Sequence, residues 1–431
     1  MSAASEKTIH ALEQVVKSVA MGTNLALLHL LWAMVSGAFL KSRGALFPAL
    51  QYAGFTVGQI RRAGQALRTG AWQMGDLVAA WRAYVHQEGQ WQPNRYGGYR
   101  PVAVDLVAFW RPRLKGRLGR FFHSVAHRLM KGIGLGLVVE VGHIGQQRVP
   151  LVRHILCPRQ AELDAHELKH QVLQVMAEEL AADEVVVHDA GASIGDMQAA
   201  GVPRYVVRMA LNCTARRNER PPRQPQGRPP EYGKVVRPLS RTYKGRTIPA
   251  TAPDVETSFS FQGRTIRVHG WHHLVRRDQK VAPDNQTFTI WVFFDPLYHD
   301  PLVLGTNLAA DPWVIFSLYL DRWSVEQVPL VAKQLLSLER QFVFAPSSRQ
   351  RLPQMALLAA NILTYLAAVL PPMPTGFWDR CPRRTPGRLR RVLAQEGFPQ
   401  DASLDRRIRK KASVTAHLPK GVQAHRRQKA A

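Results

Sequence analysis

The chain has 431 residues, room for about three folding units at roughly 150 residues each. Its 46% apolar and 21% charged composition excludes wholesale disorder, and three cysteines without paired spacing (Cys157, Cys213, Cys381) exclude a disulfide framework or a cysteine-rich zinc module and fit a reducing compartment. Against 58 Lys and Arg stand 31 Asp and Glu, a net charge of +27, so the surface suits a polyanionic partner such as nucleic acid.

The start, MSAASEKTIHALEQ, lacks the basic-then-apolar pattern of an export signal. The uncharged run 19–40 is long enough to span a bilayer, but Asn24 and His29 inside it point to a buried helix, and no membrane association is expected. Residues 1–91 read as helical throughout and form a candidate DNA-binding domain. Within 45–68, LFPALQYA is followed by Gly54, by Thr56 as a possible N-cap and by VGQIRR, a helix-turn-helix-like order. Arg61, Arg62 and Arg68 on its second helix are candidate DNA contacts, although an αα-hairpin with a solvated basic face has the same pattern.

From residue 92 the texture changes. QPNRYGGYR is rich in turn residues, and PVAVDLVAF (101–109) reads as a buried strand carrying one carboxylate. Apolar runs at 133–141 and 149–156, helical spacing over 161–182, the strand VVVHD (185–189), a short helix at 193–199 and a strand at 205–211 indicate a mixed α/β sheet over 92–213. Residues 214–246 hold six prolines among many arginines and too few apolar side chains to fold alone; with the β-like segments that follow they make 214–300 a linker and β-rich insertion. The run LVLGTN (302–307) is expected to return to the main sheet, Asp311-Pro312 to open a helix, and 353–370 to form another, completing a second α/β part over 301–376. Beyond it, residues 378–431 carry 15 Lys or Arg against four acids, so 377–431 is expected to be a partly disordered basic tail on nucleic-acid phosphates.

Two motifs bear on chemistry. His166-Glu167-Leu168-Lys169-His170 matches HExxH, in which two histidines one helical turn apart hold zinc and the glutamate acts as base; this is the zinc-protease alternative, with Glu184 as a possible third ligand. The same residues are also read as the outer face of the helix at 161–182. The other motif lies in YLDRWSVEQVPLVAK (319–333). On one α-helix Tyr319, Arg322, Glu326 and Lys333 project within about 60° of one another, a carboxylate among cations that suits a divalent metal beside phosphate.

The spacing Tyr319-x2-Arg322-x3-Glu326-x6-Lys333, with Trp323 after the arginine, resembles the YREK signature of one group of insertion-sequence DDE transposases. The resemblance extends over about residues 15–375. It implies an RNase H-like mixed sheet interrupted by a β-rich insertion, preceded by a helical domain, and two Mg²⁺ ions (Mn²⁺ able to substitute) held by two aspartates on strands and a glutamate on a later helix. Carried onto this chain, Asp105 in the strand 101–109 and Asp189 at the end of 185–189 join Glu326 as the catalytic metal ligands, with Tyr319, Arg322 and Lys333 on DNA. Between Gly89 and Ala161 the acids are Asp105 and Glu140, so the first ligand has little competition. Leu106-Val107 replace the small or hydroxyl residue usual after that aspartate, and Pro329 between Glu326 and Lys333 is expected to kink the helix. Trp271 and Trp291 in the insertion are candidates to stack on a flipped nucleotide, though either also suits a core. The implied partners are double-stranded DNA, as the element's terminal inverted repeats and as target, and a second copy of the chain on that DNA. A non-catalytic DNA-binding relative of the same fold is the alternative.

Overall fold

The computed structural model describes residues 2–111, 119–123, 125–158, 164–223, 228–340, 346–376, 378–399 and 404–409. The chain is a mixed α/β protein built on one 13-stranded sheet. Six helices come first: α1 (Ala3–Val16), α2 (Thr23–Val35), α3 (Ala38–Lys41), α4 (Leu46–Tyr52), α5 (Val57–Thr69) and α6 (Met74–Glu88). Uncharged α2 is buried on all sides, Asn24 and His29 included, and burial pushes the His29 imidazole down to about 4. The α4–α5 corner has the expected chemistry. Gly54 takes a left-handed φ of 82°, and Thr56 closes a capping box with Gln59, whose backbone N–H donates to Thr56 Oγ1 at 3.4 Å.

Five strands make the centre of the sheet: β1 (Arg100–Trp110), β2 (Arg128–Ile144), β3 (Gln147–Leu156), β4 (Glu184–His188) and β5 (Tyr205–Arg208). Their spatial order is β3-β2-β1-β4-β5; β2 runs against β1 and β3, while β4 and β5 run parallel to β1. Parallel neighbours need a crossover, and α7 (Ala165–Glu179) supplies it between β3 and β4, with α8 (Ile194–Ala200) between β4 and β5. Alternation along the strands sorts the faces. Val102, Val104 and Val186 pack against Leu168, Val172 and Met176 of α7 and Met197 of α8. Ala103, Val107, Val185 and Val187 face the other way, toward α9 (Pro312–Leu320), α10 (Ser324–Leu336) and α11 (Pro346–Val369).

The insertion extends this sheet instead of standing apart from it. After β6 (Ala215–Arg217) and β7 (Val255–Phe261), the long β8 (Arg264–Arg276) pairs with β9 (Phe288–Phe294), β9 with β10 (Leu302–Thr306), and β10 closes antiparallel on β5, Gly305 opposite Val207. The returning strand thus covers an edge that β5 would otherwise leave unpaired. Part of the Pro/Arg-rich stretch is tied down as well: Arg217 grips Asp254 through both terminal nitrogens at 2.6 and 2.5 Å.

Two features of organisation come from packing. The N-terminal helices share one continuous hydrophobic core with the sheet, α10 and α11, so no gap in packing sets 1–91 apart. Buried Asn361 on α11 knots this core: its side chain accepts from Trp81 Nε1 of α6 at 2.8 Å and from the Val152 N–H at 3.1 Å, and it donates to the Pro150 carbonyl at 2.6 Å. The basic C-terminal region also folds in part. A further helix, α12 (Pro386–Glu396), buries Leu389 and Leu393, and Phe398 meets His29, Trp32 and Phe55. Net charge along the tail hid a helix whose two leucines, four apart, share a face. Residues 410–431 lie outside the described ones. Among the described residues one helix, Ser347–Val369, is long and apolar enough to cross a membrane, and 94% of its apolar window is buried inside the protein.

Candidate active site

Asp105 lies in the middle of β1 and Asp189 one residue past the end of β4. The parallel register pairs Ala103 with Val187, so two residues further along both strands Asp105 and Asp189 stand side by side. Both share the parity of Ala103 and Val187, which puts them on the face covered by α9 and α10. Asp105 is partly buried, and its Oδ1 accepts one backbone hydrogen bond, from Leu106 at 2.8 Å. Burial, the neighbouring Asp189 charge and the more distant Glu326 charge push its carboxyl up to about 6, against the partial relief given by His188 and the Leu106 N–H.

Asp189 is placed in the opposite electrostatic sense. The His188 imidazole, 3.3 Å from its Oδ1, and the Gly191 N–H at 2.8 Å hold its carboxyl down to about 2, with a further contribution from the Arg322 charge. Of two adjacent carboxylates, one is therefore held firmly charged and the other carries the repulsion.

The segment bearing the signature is not one uninterrupted α-helix. Helix α9 ends at Leu320, a 3₁₀ turn spans Asp321–Trp323, and α10 begins at Ser324. Tyr319, Arg322 and Glu326 nevertheless stack together: the guanidinium lies 5.7 Å from the Tyr319 ring centroid, and its Nη1 donates to Glu326 Oε1 at 2.6 Å. Burial works against the Arg322 charge, but the bond to Glu326 and the nearby Tyr319 and Asp189 leave it favoured overall. Burial raises the Tyr319 hydroxyl pKa, offset in part by Arg322 and Arg208.

Lys333 lies further along the same helix as Glu326. Helix α10 runs through Pro329 to Leu336, so the proline does not end it, and Lys333 stays on the Glu326 side of the helix two turns further along. It sits seven residues past Glu326, about 10 Å along the axis, over the rings of Phe109 and Trp110 at 5.9 Å each and 3.5 Å from Glu339. The 3₁₀ turn winds at three residues instead of 3.6, which alters the phase between Tyr319 and Lys333 assumed for a single helix.

Sequence reasoning missed the groups that hold this turn. Asp321, fully buried, accepts from Asn94 Nδ2 at 2.7 Å and Tyr96 Oη at 3.0 Å, and its other oxygen meets Arg148 Nη2 at 2.9 Å. Burial raises its pKa despite those partners. It links the linker at 92–100 and the β2–β3 hairpin to the residue next to Arg322. His188 was missed too, 2% exposed, with its Nε2 lacking a hydrogen-bond partner. The signal for Asp321 was an acid inside an otherwise apolar run, which reads from sequence as part of a polar helix face.

The remaining candidates separate. Arg61, Arg62 and Arg68 are exposed on α5, as a DNA-contacting face requires. Trp271 and Trp291 are core residues, 1% and 5% exposed, and Trp271 Nε1 donates to the carbonyls of Thr251 and Ala252. Their rings are closed to a flipped base because β8 and β9 lie inside a sheet packed on both faces. The zinc motif is occupied by structural duties. Glu167 closes a capping box with Asp164 at the start of α7, His166 is largely exposed, and Glu184 pairs with Arg153 at 2.8 Å. That arrangement serves a helix terminus and leaves the motif without its base or third ligand.

As a donor set for a hard divalent cation, two adjacent carboxylates, one of them raised by the charge of the other, fit, because a cation between them relieves the repulsion. Among the described residues no three His, Cys, Asp or Glu side chains converge as a ready metal cage; Glu326 is turned to Arg322, its side chain 42% exposed. The chain matches no family model and none of the curated proteins with which it was compared.

Proposed function

We propose that the protein is a DNA transposase with an RNase H-like catalytic unit. The observation that carries this reading is the juxtaposition of Asp105 and Asp189 on neighbouring parallel strands, within electrostatic reach of Glu326 on a later helix. Support comes also from the reversed strand β2 within an otherwise parallel centre, from the β-rich insertion that precedes the glutamate, and from the net charge of +27. Asp105, Asp189 and Glu326 would hold Mg²⁺, Glu326 after leaving Arg322. When bound, two such ions supply Lewis acidity at the phosphoryl oxygens and lower the pKa of an attacking water.

In that role the chain's own residues position the DNA. Arg322, released from Glu326, and the Tyr319 hydroxyl present donors to phosphate oxygens beside the scissile bond. His188 and the Gly191 N–H keep the Asp189 carboxylate aimed and charged. Water adds to phosphorus as the 3′ oxygen leaves and takes a proton, giving a 5′-phosphate and a 3′-hydroxyl. That hydroxyl then attacks a target phosphate in the joining step, displacing the target's own 3′ oxygen, which leaves with a proton as a new 3′-hydroxyl. Exposed Arg61, Arg62 and Arg68 would bind the element's ends.

The Arg322–Glu326 pair is the observation that favours the second reading, a relative of the same fold that binds DNA without cutting it. One experiment separates them. Duplexes copied from the DNA flanking the reading frame are incubated with protein and Mg²⁺; nicking by wild type and none by Asp189→Asn is expected. Equal DNA binding by both with no nicking by either would establish the non-catalytic reading.

A further inference from the structure

The segment between Asp105 and Glu140 holds seven Lys or Arg, two His and no acid. Part of it forms a β-hairpin that prolongs the active-site strands. Residues Arg120–His123 pair antiparallel with the first four residues of β2, Arg120 opposite Lys131, Phe122 opposite Leu129 and His123 opposite Arg128. The hairpin joins the sheet through a hydrogen bond from the Arg111 N–H to the Lys131 carbonyl at 2.8 Å and another from Gly132 N–H to Gly119 at 3.0 Å.

Its two faces have different fates. Phe121, 3% exposed, fills the space left by the missing side chain of Gly134, where a Cβ would stand 2.1 Å from the phenyl ring, and packs in the core with Leu168. The His123 ring lies 4.3 Å from that of Trp110. These contacts fasten the base. On the alternate face Phe122 and Leu129 are 57% and 62% exposed, and Val125 at the turn is 83% exposed. By strand parity Arg120 and Lys131 share the face of Phe122 and Leu129, while exposed Arg128, next to Leu129, lies on the other face of the ribbon. The result is an anchored ribbon whose apolar tip is flanked by cations, Arg120 toward the base and Arg128 beside the turn. An apolar pair so placed is an aggregation hazard unless it has an occupant, and the absence of any acid across 34 residues selects a polyanion with apolar faces to offer.

We propose that this ribbon is a second DNA-contacting element, Arg120 and Arg128 seated on phosphates and Phe122 with Leu129 wedged against base faces. This rests on the DNA reading above. Asp105 is paired with Leu137 and Phe122 with Leu129, eight residues away along β2. At about 3.3 Å per residue that separates tip and carboxylates by about 26 Å, or about eight base pairs along a duplex. The ribbon therefore engages the strand about eight base pairs from the bond being cut. Wedging apolar side chains between bases unstacks them, and a stretch that is already unpaired escapes that expense.

The test uses the full chain and two fluorescent probes, a 40-base-pair duplex and the same duplex with an unpaired bubble at its centre. Wild type is expected to bind the bubble about tenfold more tightly, in line with stacking on one to two bases. Phe122→Ala with Leu129→Ala should abolish that preference and keep duplex affinity within about twofold. Arg120→Ala with Arg128→Ala should weaken binding to both probes and lower the salt dependence by about two phosphate contacts. Both pairs are exposed, so circular dichroism should be unchanged. Duplex binding by wild type with no bubble preference, or a preference that survives loss of Phe122 and Leu129, overturns the ribbon while leaving the DNA reading in place. A change of oligomeric state in the Phe122/Leu129 variant without loss of bubble preference assigns the tip to contacts between copies of the chain and overturns it too. If wild type binds neither probe at low salt, the DNA reading itself fails.

Discussion

Replacing Asp105 by asparagine should make the metal-free protein more stable, which is unusual for a substitution at a proposed catalytic residue. The carboxyl is lifted from an ordinary 3.8 to about 6 by burial and by the charges of Asp189 and Glu326. At about 1.4 kcal/mol per pH unit, that displacement corresponds to about 3 kcal/mol of penalty on the charged form. The sign follows from proton binding. The folded state holds this proton more tightly than the unfolded chain, so the favourable contribution is complete below pH 3.8 and is lost as pH rises through about 6. At pH 8 wild type bears the whole penalty, whereas Asp105→Asn carries no charge and its amide oxygen can still accept from the Leu106 N–H. The expected gain is about 2–3 kcal/mol at pH 8, shrinking to within about 1 kcal/mol at pH 4. Urea unfolding followed by tryptophan fluorescence, without divalent ions, at pH 4, 6 and 8 measures it. Added Mg²⁺ should then stabilise wild type and leave the variant unmoved, since only the former keeps both adjacent carboxylates. A variant less stable than wild type at pH 8, or a difference that does not change between pH 4 and 8, would refute the account of a repelled carboxylate pair.

Two further substitutions probe what supports the site. Asp321→Ala strips a fully buried carboxylate from Asn94, Tyr96 and Arg148, so a loss of about 3–5 kcal/mol in urea unfolding is expected, together with weakened DNA nicking because the turn that presents Arg322 loses its anchor. Asn361→Ala should destabilise by about 2–4 kcal/mol, since it orphans the Trp81 indole, the Val152 N–H and the Pro150 carbonyl in one step. Thermal melts of the two variants should show the deficit of Asn361→Ala unaltered by Mg²⁺, since that residue lies in the helical core and not at the carboxylates.

Periodicity along the chain was sufficient for the elements around the site. Runs of Val, Leu and Ile bounded by turn residues placed β1, β2, β3, β4 and β5 within a few residues, except that β2 begins earlier than its apolar run because its first turns belong to the ribbon. Thr56 and Gly54 marked the α4–α5 corner because capping and left-handed backbone are local chemistry. Periodicity located the strands that bear Asp105 and Asp189, and the resemblance to the transposase signature singled out those two acids.

What the linear order could not convey was register, phase and mutual burial. Asp105 and Asp189 are 84 positions apart, and only the pairing of Ala103 with Val187 brings them abreast. A 3₁₀ turn at Asp321–Trp323 depends on buried partners at Asn94, Tyr96 and Arg148, so no local signal foretold the break between the helix bearing Tyr319 and the helix bearing Glu326 and Lys333. Trp271 and Trp291 became core because strands from the insertion were drafted into the main sheet, a long-range choice made by the free edge of β5. Local chemistry is written in neighbouring residues, but the meeting of distant charges is decided by which surfaces the folded chain must hide from water.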